Sequence, residues 1–123
     1  MEQAALLACL FRGVDRRSKQ QALQHAAKWL IESCHQGNDD GSGTYYFNHG
    51  WTSSYPETTG YIIPTLLDYA ESQDAAWALE AHEAAKRAGH WLLGIQHEDG
   101  GWPGGYVHQN RPSVVFNSGQ ILR

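Results

Sequence analysis

Apolar residues recur at helical spacing over several segments of this 123-residue chain. From Ser18 to Gln36 they return every three or four positions, and polar residues take the opposite face, which predicts an amphipathic helix. Ser18 is expected to cap this helix and Gly37 to end it. Residues 73–95 follow the same pattern with an alanine-rich stripe, which predicts a second amphipathic helix.

Three further segments are apolar on nearly all sides. Residues 2–12 predict a short helix of this kind, and such helices are usually buried all round. Helix is expected again from residues 56–59 to about Ser72. Pro64 would cost about 3 kcal/mol in a helix interior. The regular helix therefore either starts near Thr59 or is kinked around Pro64. A last apolar helix is expected from residues 113–119 to the end of the chain.

Two glycine-rich stretches interrupt the helical pattern, and we call them the first connector (residues 37–55) and the second connector (residues 96–112). Gly, Asn and Asp supply turn chemistry in both, so we expect irregular loops. Asp39, Asp40 and Asp99 are interpreted as turn residues.

The two halves of the chain resemble each other. Trp29 and Trp91 are 62 residues apart, and Gly60 and Gly119 are 59 apart. Each half reads as an outer amphipathic helix, a long connector and an inner apolar helix, over residues 14–72 and 73–123. Such units bury their apolar faces by stacking on neighbours. We therefore predict one incomplete domain over residues 1–123, although accidental similarity of two helix–loop–helix segments is the alternative.

The second half carries a motif that resembles the QW repeat of squalene-hopene cyclases and related prenyltransferase-type proteins. Its residues are Arg87, Ala88, Trp91, Leu92, Leu93, Gln96, Gly100 and Trp102. The first half departs from this pattern, with Tyr45 near the place of the final Trp. The resemblance implies an all-α fold, a partial α/α toroid of about two helical hairpins plus flanking inner helices, around a central cavity. The Asp-x-Asp-Asp acid motif of triterpene cyclisation is absent from the sequence. Six-hairpin glycosidases, sugar epimerases and polysaccharide lyases share the architecture, and fold alone does not choose among them.

Candidate site residues come from the connectors and the inner helices that follow them, because in such toroids these loops line the cavity mouth. Aromatic rings with polar tips suit the faces of pyranose rings. The catalytic candidates are Glu57, His49 and His108. The candidates for substrate binding are Trp51, Tyr55, Tyr61, Trp102, Tyr106, Arg111 and Asn117.

Several candidates have a structural alternative. Glu57 could serve as a general acid or base, or could simply stabilise a helix N-terminus through the helix dipole. Arg111 could pair with a uronic acid carboxylate or a phosphate, or form a structural salt bridge. Trp102 could pack between helices, and Trp29 and Trp91 are interpreted as core or inter-helix residues.

Composition narrows the functional classes. The chain has five Trp, thirteen Gly and a formal net charge of −4, and it has no basic run that would favour nucleic acid. Its longest apolar run, from Ala4 to Phe11, is too short to span a membrane. Cys9 and Cys34 are expected to be reduced, in a cytoplasmic protein. No His or Cys spacing resembles a zinc site, so neither metal nor cofactor is expected.

The sequence predicts a fragment of an α/α-toroid protein that takes part in carbohydrate or polysaccharide processing, through a cavity lined by aromatic loops. A carbohydrate or another small molecule is the expected partner, together with self-association through exposed apolar helices. One alternative is a relative of the isoprenoid cyclases and prenyltransferases, and another is a non-catalytic helical-repeat module. Whether the fragment itself is an enzyme is left open by the sequence.

Overall fold

The structure, a computed structural model, describes residues 18–72 and 75–123. The all-α prediction is confirmed, because these residues form four α-helices and a single two-stranded hairpin. The helices are α1 (Lys19–Ser33), α2 (Pro56–Glu71), α3 (Ala78–Gly94) and α4 (Val115–Ile121), and the strands are β1 (Tyr45–Tyr46) and β2 (Gly50–Trp51). The helix expected over residues 2–12, including Cys9, lies outside the described residues. Closure into a toroid stays a prediction.

Helix α1 begins as its sequence predicts. The Ser18 hydroxyl accepts a hydrogen bond from the Gln21 amide at 3.2 Å, and the Gln21 side chain accepts one from the Ser18 amide at 3.1 Å. This reciprocal pair satisfies two amides that a helix start leaves without partners. The helix ends at Ser33, earlier than the predicted Gln36, and the Cys34 amide donates to the Ile31 carbonyl at 3.2 Å.

Helix α2 starts within the predicted range 56–59, and this excludes the alternative in which the regular helix begins near Thr59. It begins at Pro56, and the Thr59 amide already donates to the Tyr55 carbonyl at 3.0 Å. A proline suits the first helical position because the amide it lacks would have had no partner there. Pro64 lies inside the helix, where it removes the bond to the carbonyl four residues earlier. That carbonyl belongs to Gly60.

Helix α3 is shorter than predicted, whereas α4 starts inside the predicted range 113–119. Helix α3 starts at Ala78 and not at residue 73, because residues 75–77 form a turn in which the Ala78 amide donates to the Ala75 carbonyl at 3.2 Å. Helix α4 starts at Val115 because Ser113 forms an isolated β-bridge with Pro103. Both starts are therefore set by contacts that the apolar pattern does not encode.

Helix α2 lies at the centre of the described fold and contacts α1, α3 and α4. Its buried residues join those of α1 and α3 in one core, which consists of Ala27, Ile31, Cys34, Ile62, Leu66, Tyr69, Ala81, Ala84 and Ala85. Gly60 lets α2 and α4 approach closely, since a Cβ atom there would lie 2.9 Å from the Ile121 Cα. Within residues 18–72 and 75–123, no helix has the length and apolar character needed to cross a membrane.

Candidate functional site

Both connectors are held by the same aspartate contacts. The Asp39 carboxylate accepts hydrogen bonds from the Gly41 amide at 3.1 Å and from the Ser54 hydroxyl at 2.5 Å. In the second connector, the Asp99 carboxylate accepts from the Gly101 amide at 2.9 Å and from the Ser113 hydroxyl at 2.8 Å. The interpretation of Asp39 and Asp99 as turn residues is confirmed, because each caps an amide two residues ahead.

A second pair of contacts ties each connector to the helix that follows it. The Thr59 hydroxyl accepts from the Ser42 amide at 2.9 Å, and the Ser118 hydroxyl accepts from the Trp102 amide at 2.9 Å. Each hydroxyl also donates to a carbonyl four residues earlier in its own chain segment. We call Asp39, Ser54 and Thr59, with Asp99, Ser113 and Ser118, the connector frame. Its equivalent residues are 59 or 60 positions apart.

The frame places Ser42, and not Tyr45, at the position equivalent to Trp102. Trp102 is 3% exposed, and its indole N–H donates to the Leu92 carbonyl at 2.7 Å. In the first unit two small residues together make the equivalent link, from position 42 to the Leu30 carbonyl. The Ser42 and Ser33 hydroxyls lie 2.9 Å apart, and Ser33 donates to the Leu30 carbonyl at 2.7 Å.

The two connectors meet on the same side of the helices. The Val107 amide of the second connector donates to the Ser54 carbonyl of the first at 3.0 Å. The rings of Tyr55 and Tyr106 contact each other edge to face, with centroids 5.4 Å apart. Side chains from both connectors can therefore reach one ligand.

Five rings gather around this contact, and we call them the connector cluster: Tyr46, His49, Tyr55, Tyr106 and His108. His49 stacks on Tyr46 with ring centroids 4.7 Å apart, and His108 stacks on Tyr106 at 5.8 Å. A hydrogen bond with Tyr106 raises the pKa of the Tyr46 hydroxyl. The cluster thus combines aromatic faces with hydroxyl and imidazole groups that donate and accept hydrogen bonds.

A second group of rings lies on the other face of the hairpin, because successive strand residues point to opposite sides. We call it the outer patch: Trp29, Tyr45, Phe47 and Trp51. The Trp29 ring lies 5.1 Å from the Trp51 ring and 5.8 Å from the Tyr45 ring. Trp29 is 49% exposed, which corrects its interpretation as a core or inter-helix residue. Trp51 belongs to this patch and not to the connector cluster.

The other predicted site residues are spread more widely. Glu57 is half-buried in the first turn of α2, two residues after Tyr55. Tyr61 lines a separate groove with Gln120 and Arg123. Arg111 is exposed in the second connector.

Two predicted binding residues are buried in the described fold. Asn117 is 4% exposed and donates to the Pro103 carbonyl at 3.2 Å. Trp102 is buried as described above, so both side chains are occupied in holding the second connector. This agrees with the structural alternative for Trp102 given by the sequence.

The predicted site residues do not include Tyr46 of the connector cluster or Trp29, Tyr45 and Phe47 of the outer patch. Tyr46 could have been found from the alternation of a short strand, since Tyr45 and Tyr46 must point to opposite faces. Trp29 gives no such signal, because its exposure depends on which elements pack against α1.

The three aspartates of the connectors are engaged by the fold. The Gly101 amide and the Ser113 hydroxyl hold the pKa of the Asp99 carboxyl below its usual range. Asp40 pairs with Arg87 of α3, with Oδ1 and Nε 3.3 Å apart. In the part of the chain that the structure describes, no three His, Cys, Asp or Glu side chains are grouped so that they could hold a metal ion.

No protein-family model matches the chain, and neither a curated protein nor a solved structure matches it.

Proposed function

We propose that the connector cluster binds a carbohydrate, and that the chain belongs to a protein that processes polysaccharides or oligosaccharides. The observation that carries this proposal is the contact between Tyr55 and Tyr106, which joins rings from both connectors at 5.4 Å. Sugar rings present apolar C–H faces and polar edges. Aromatic faces cover the former, and tyrosine hydroxyls and imidazole nitrogens pair with the latter.

The position of the connector acids supports binding more strongly than hydrolysis. Glycoside hydrolysis needs two carboxylates on either side of the scissile bond. Asp39 and Asp99 accept hydrogen bonds within the frame, and Asp40 pairs with Arg87. Glu57 takes no part in the frame, and we propose it as the group that exchanges a proton with a bound sugar, together with His49 and His108.

The repeated frame also supports the proposal that these helices belong to an α/α toroid. Equivalent hydrogen bonds recur in both units, as stacked helical hairpins require. In such an array the connectors of successive units share one side, where a larger ligand surface would form. A cyclase or prenyltransferase relationship draws on the same repeat, but the polar composition of the connector cluster favours a sugar over an isoprenoid.

The test is electrophoresis of the full chain in native gels that contain hydroxyethyl cellulose or polygalacturonate. We expect retardation in at least one of these gels. Tyr106→Ala should remove it, because one aromatic contact residue at the centre of a binding surface commonly contributes roughly tenfold or more in affinity. Tyr61→Ala is the matched control, since it removes a tyrosine that lines a separate groove outside the cluster.

The variants separate the possible binding surfaces. Loss of retardation in Tyr106→Ala with retention in Tyr61→Ala supports the connector cluster. Loss in Trp51→Ala alone would assign binding to the outer patch and contradict the proposal. Unchanged migration of the wild-type chain in both gels would show that it binds neither polysaccharide and would contradict the proposal.

A further inference from the structure

Residues 103–113, which include the second half of the second connector, form a closed loop. At its base Pro103 and Ser113 form a β-bridge. The next pair inwards is joined by a hydrogen bond, in which the Gly104 amide donates to the Pro112 carbonyl at 3.3 Å. The two arms of the loop therefore run side by side, and residues on opposite arms lie close together.

This loop places Arg111 beside Tyr106 of the connector cluster. Asn110 has a left-handed backbone with φ of 45°, and the chain turns back there. A Cβ atom on Gly105 would lie 3.4 Å from the Arg111 Nε, so the arginine side chain lies against the residue that precedes Tyr106. Because adjacent Cα atoms are about 3.8 Å apart, Nε lies within about 9 Å of the Tyr106 Cα.

The Arg111 side chain is exposed and has no acidic partner among residues 18–72 and 75–123. The ion pairs in this part of the chain are formed by other basic residues, namely Lys28, His82, Lys86 and Arg87. The structural salt bridge that the sequence allowed for Arg111 is therefore not formed within these residues. A guanidinium presents parallel N–H groups that match the two oxygens of a carboxylate.

The chain as a whole does not attract polyanions, because its formal net charge is −4. Binding of an acidic polymer must therefore come from local groups. The three connector aspartates are already engaged by the frame and by Arg87, so they do not compete for the Arg111 guanidinium. Arg111 is thus available to one carboxylate of a ligand whose sugar faces are covered by the rings of the connector cluster.

We propose that the carbohydrate bound by the connector cluster is acidic, and that the carboxylate of a uronic acid residue pairs with Arg111. This inference rests on the proposed function, since it names the class of sugar for the same site. Tyr55 and Tyr106 contact the sugar rings, and Arg111 at the edge of the cluster distinguishes a charged sugar from a neutral one.

The test is affinity electrophoresis of the full chain in native gels, in which the retardation at several polymer concentrations gives the affinity. Polygalacturonate is compared with its methyl ester, which has the same backbone without the charges. Dextran sulfate reports on general attraction to polyanions. We expect the wild-type chain to be retarded more strongly by polygalacturonate than by either of the other two polymers.

Three variants examine the arginine itself. Arg111→Gln should weaken binding to polygalacturonate roughly fivefold or more, because it removes a charge-assisted pair of hydrogen bonds. Arg123→Gln is the matched control, since it makes the same change of charge at an exposed arginine that lines a separate groove, and its affinity should equal that of wild type. Arg111→Lys keeps the charge but not the parallel N–H groups, so its affinity should lie between those of Arg111→Gln and wild type.

The outcomes separate this inference from the proposed function. Equal affinity for polygalacturonate and its methyl ester would overturn the acidic sugar but leave carbohydrate binding in place. Equal affinities of Arg111→Gln and Arg123→Gln for polygalacturonate would overturn the role of Arg111. Retardation by dextran sulfate as strong as that by polygalacturonate would overturn the recognition of a uronic acid. Failure of every polysaccharide to retard the wild-type chain would contradict the proposed function itself.

Discussion

The first and second connectors share their frame but place their aromatic side chains differently. Asp39 and Asp99 accept the same two kinds of hydrogen bond, and Thr59 and Ser118 accept the same amide. At the next equivalent position the second connector buries Trp102, whereas the first has Ser42. The first connector instead carries its rings on a hairpin that extends towards solvent. The shared residues therefore hold both connectors, and the residues that differ determine where the rings of each connector lie.

The outer-helix tryptophans differ in a related way. Trp91 lies against the first connector, since a Cβ atom on Gly41 would meet its ring at 2.7 Å. Trp29 has the equivalent place in α1, but residues 18–72 and 75–123 contain no connector ahead of it. Its ring packs on Trp51 and Tyr45 of its own unit instead. The neighbouring unit thus decides whether this tryptophan is an inter-unit contact or part of an exposed aromatic surface.

The largest expected difference between the connectors is at Trp102 and Ser42. Trp102→Ala removes a buried ring and the hydrogen bond to the Leu92 carbonyl, and should lower the free energy of unfolding by about 3–5 kcal/mol. Ser42→Ala removes one hydroxyl from the Ser33 contact and should lower it by about 1 kcal/mol. Urea denaturation followed by circular dichroism measures both values.

Leu93→Ala is the control for this pair, because Leu93 is 66% exposed and its truncation should change the free energy of unfolding by less than about 0.5 kcal/mol. Equal losses for Trp102→Ala and Ser42→Ala would show that the two connectors depend on these positions alike. The interpretation of Trp102 as the specific packing element of the second unit would then be wrong.

A smaller difference in stability between the connectors is expected at the hydrogen bonds that the Thr59 and Ser118 hydroxyls accept. Thr59 is fully buried, so Thr59→Val leaves the Ser42 amide without an acceptor and should lower the free energy of unfolding by about 1–3 kcal/mol. Ser118 is only half-buried, and in Ser118→Ala water can reach the Trp102 amide, which limits the loss to about 1 kcal/mol.

The control is Thr65→Val in the same helix. Its hydroxyl donates to the Tyr61 carbonyl at 3.2 Å but is exposed, so we expect a change of no more than about 0.5 kcal/mol. A loss for Ser118→Ala as large as that for Thr59→Val would mean that the deeper burial of Thr59 does not make its frame contact more important for stability.

The sequence predicted the helices well where one periodicity and one cap decide the outcome. Ser18 starts α1 as expected, since both its hydroxyl and the Gln21 side chain that completes the cap are local. The start of α4 was predicted only as the range 113–119, which contains Val115; its exact position depends on Ser113, which bonds to Asp99, 14 residues away. Local patterns do not encode such contacts between a connector and the following helix.

The sequence located the two connectors more accurately than it selected the side chains that gather between them. The connectors were identified from glycine and aromatic density, and Tyr55, Tyr106, His49 and His108 are in the connector cluster. Asn117 and Trp102 were selected by residue type, but their polar atoms bond to backbone carbonyls inside the fold. Residue type alone does not distinguish a side chain that holds a loop from one that the loop presents.

The smallest expected effect is the part of the pH dependence of stability that arises from Asp99. Because the Gly101 amide and the Ser113 hydroxyl hold the Asp99 pKa below its value of about 3.8 in the unfolded chain, the carboxylate adds stability above that value. The contribution is lost as pH falls through the folded pKa. Thermal unfolding between pH 5 and pH 2 should therefore show a shallower decline in Tm for Asp99→Asn than for wild type. Ser113→Ala keeps the carboxylate and its bond from Gly101, so its decline should lie between the two. Identical declines in all three proteins would mean that these two bonds do not favour the ionised Asp99.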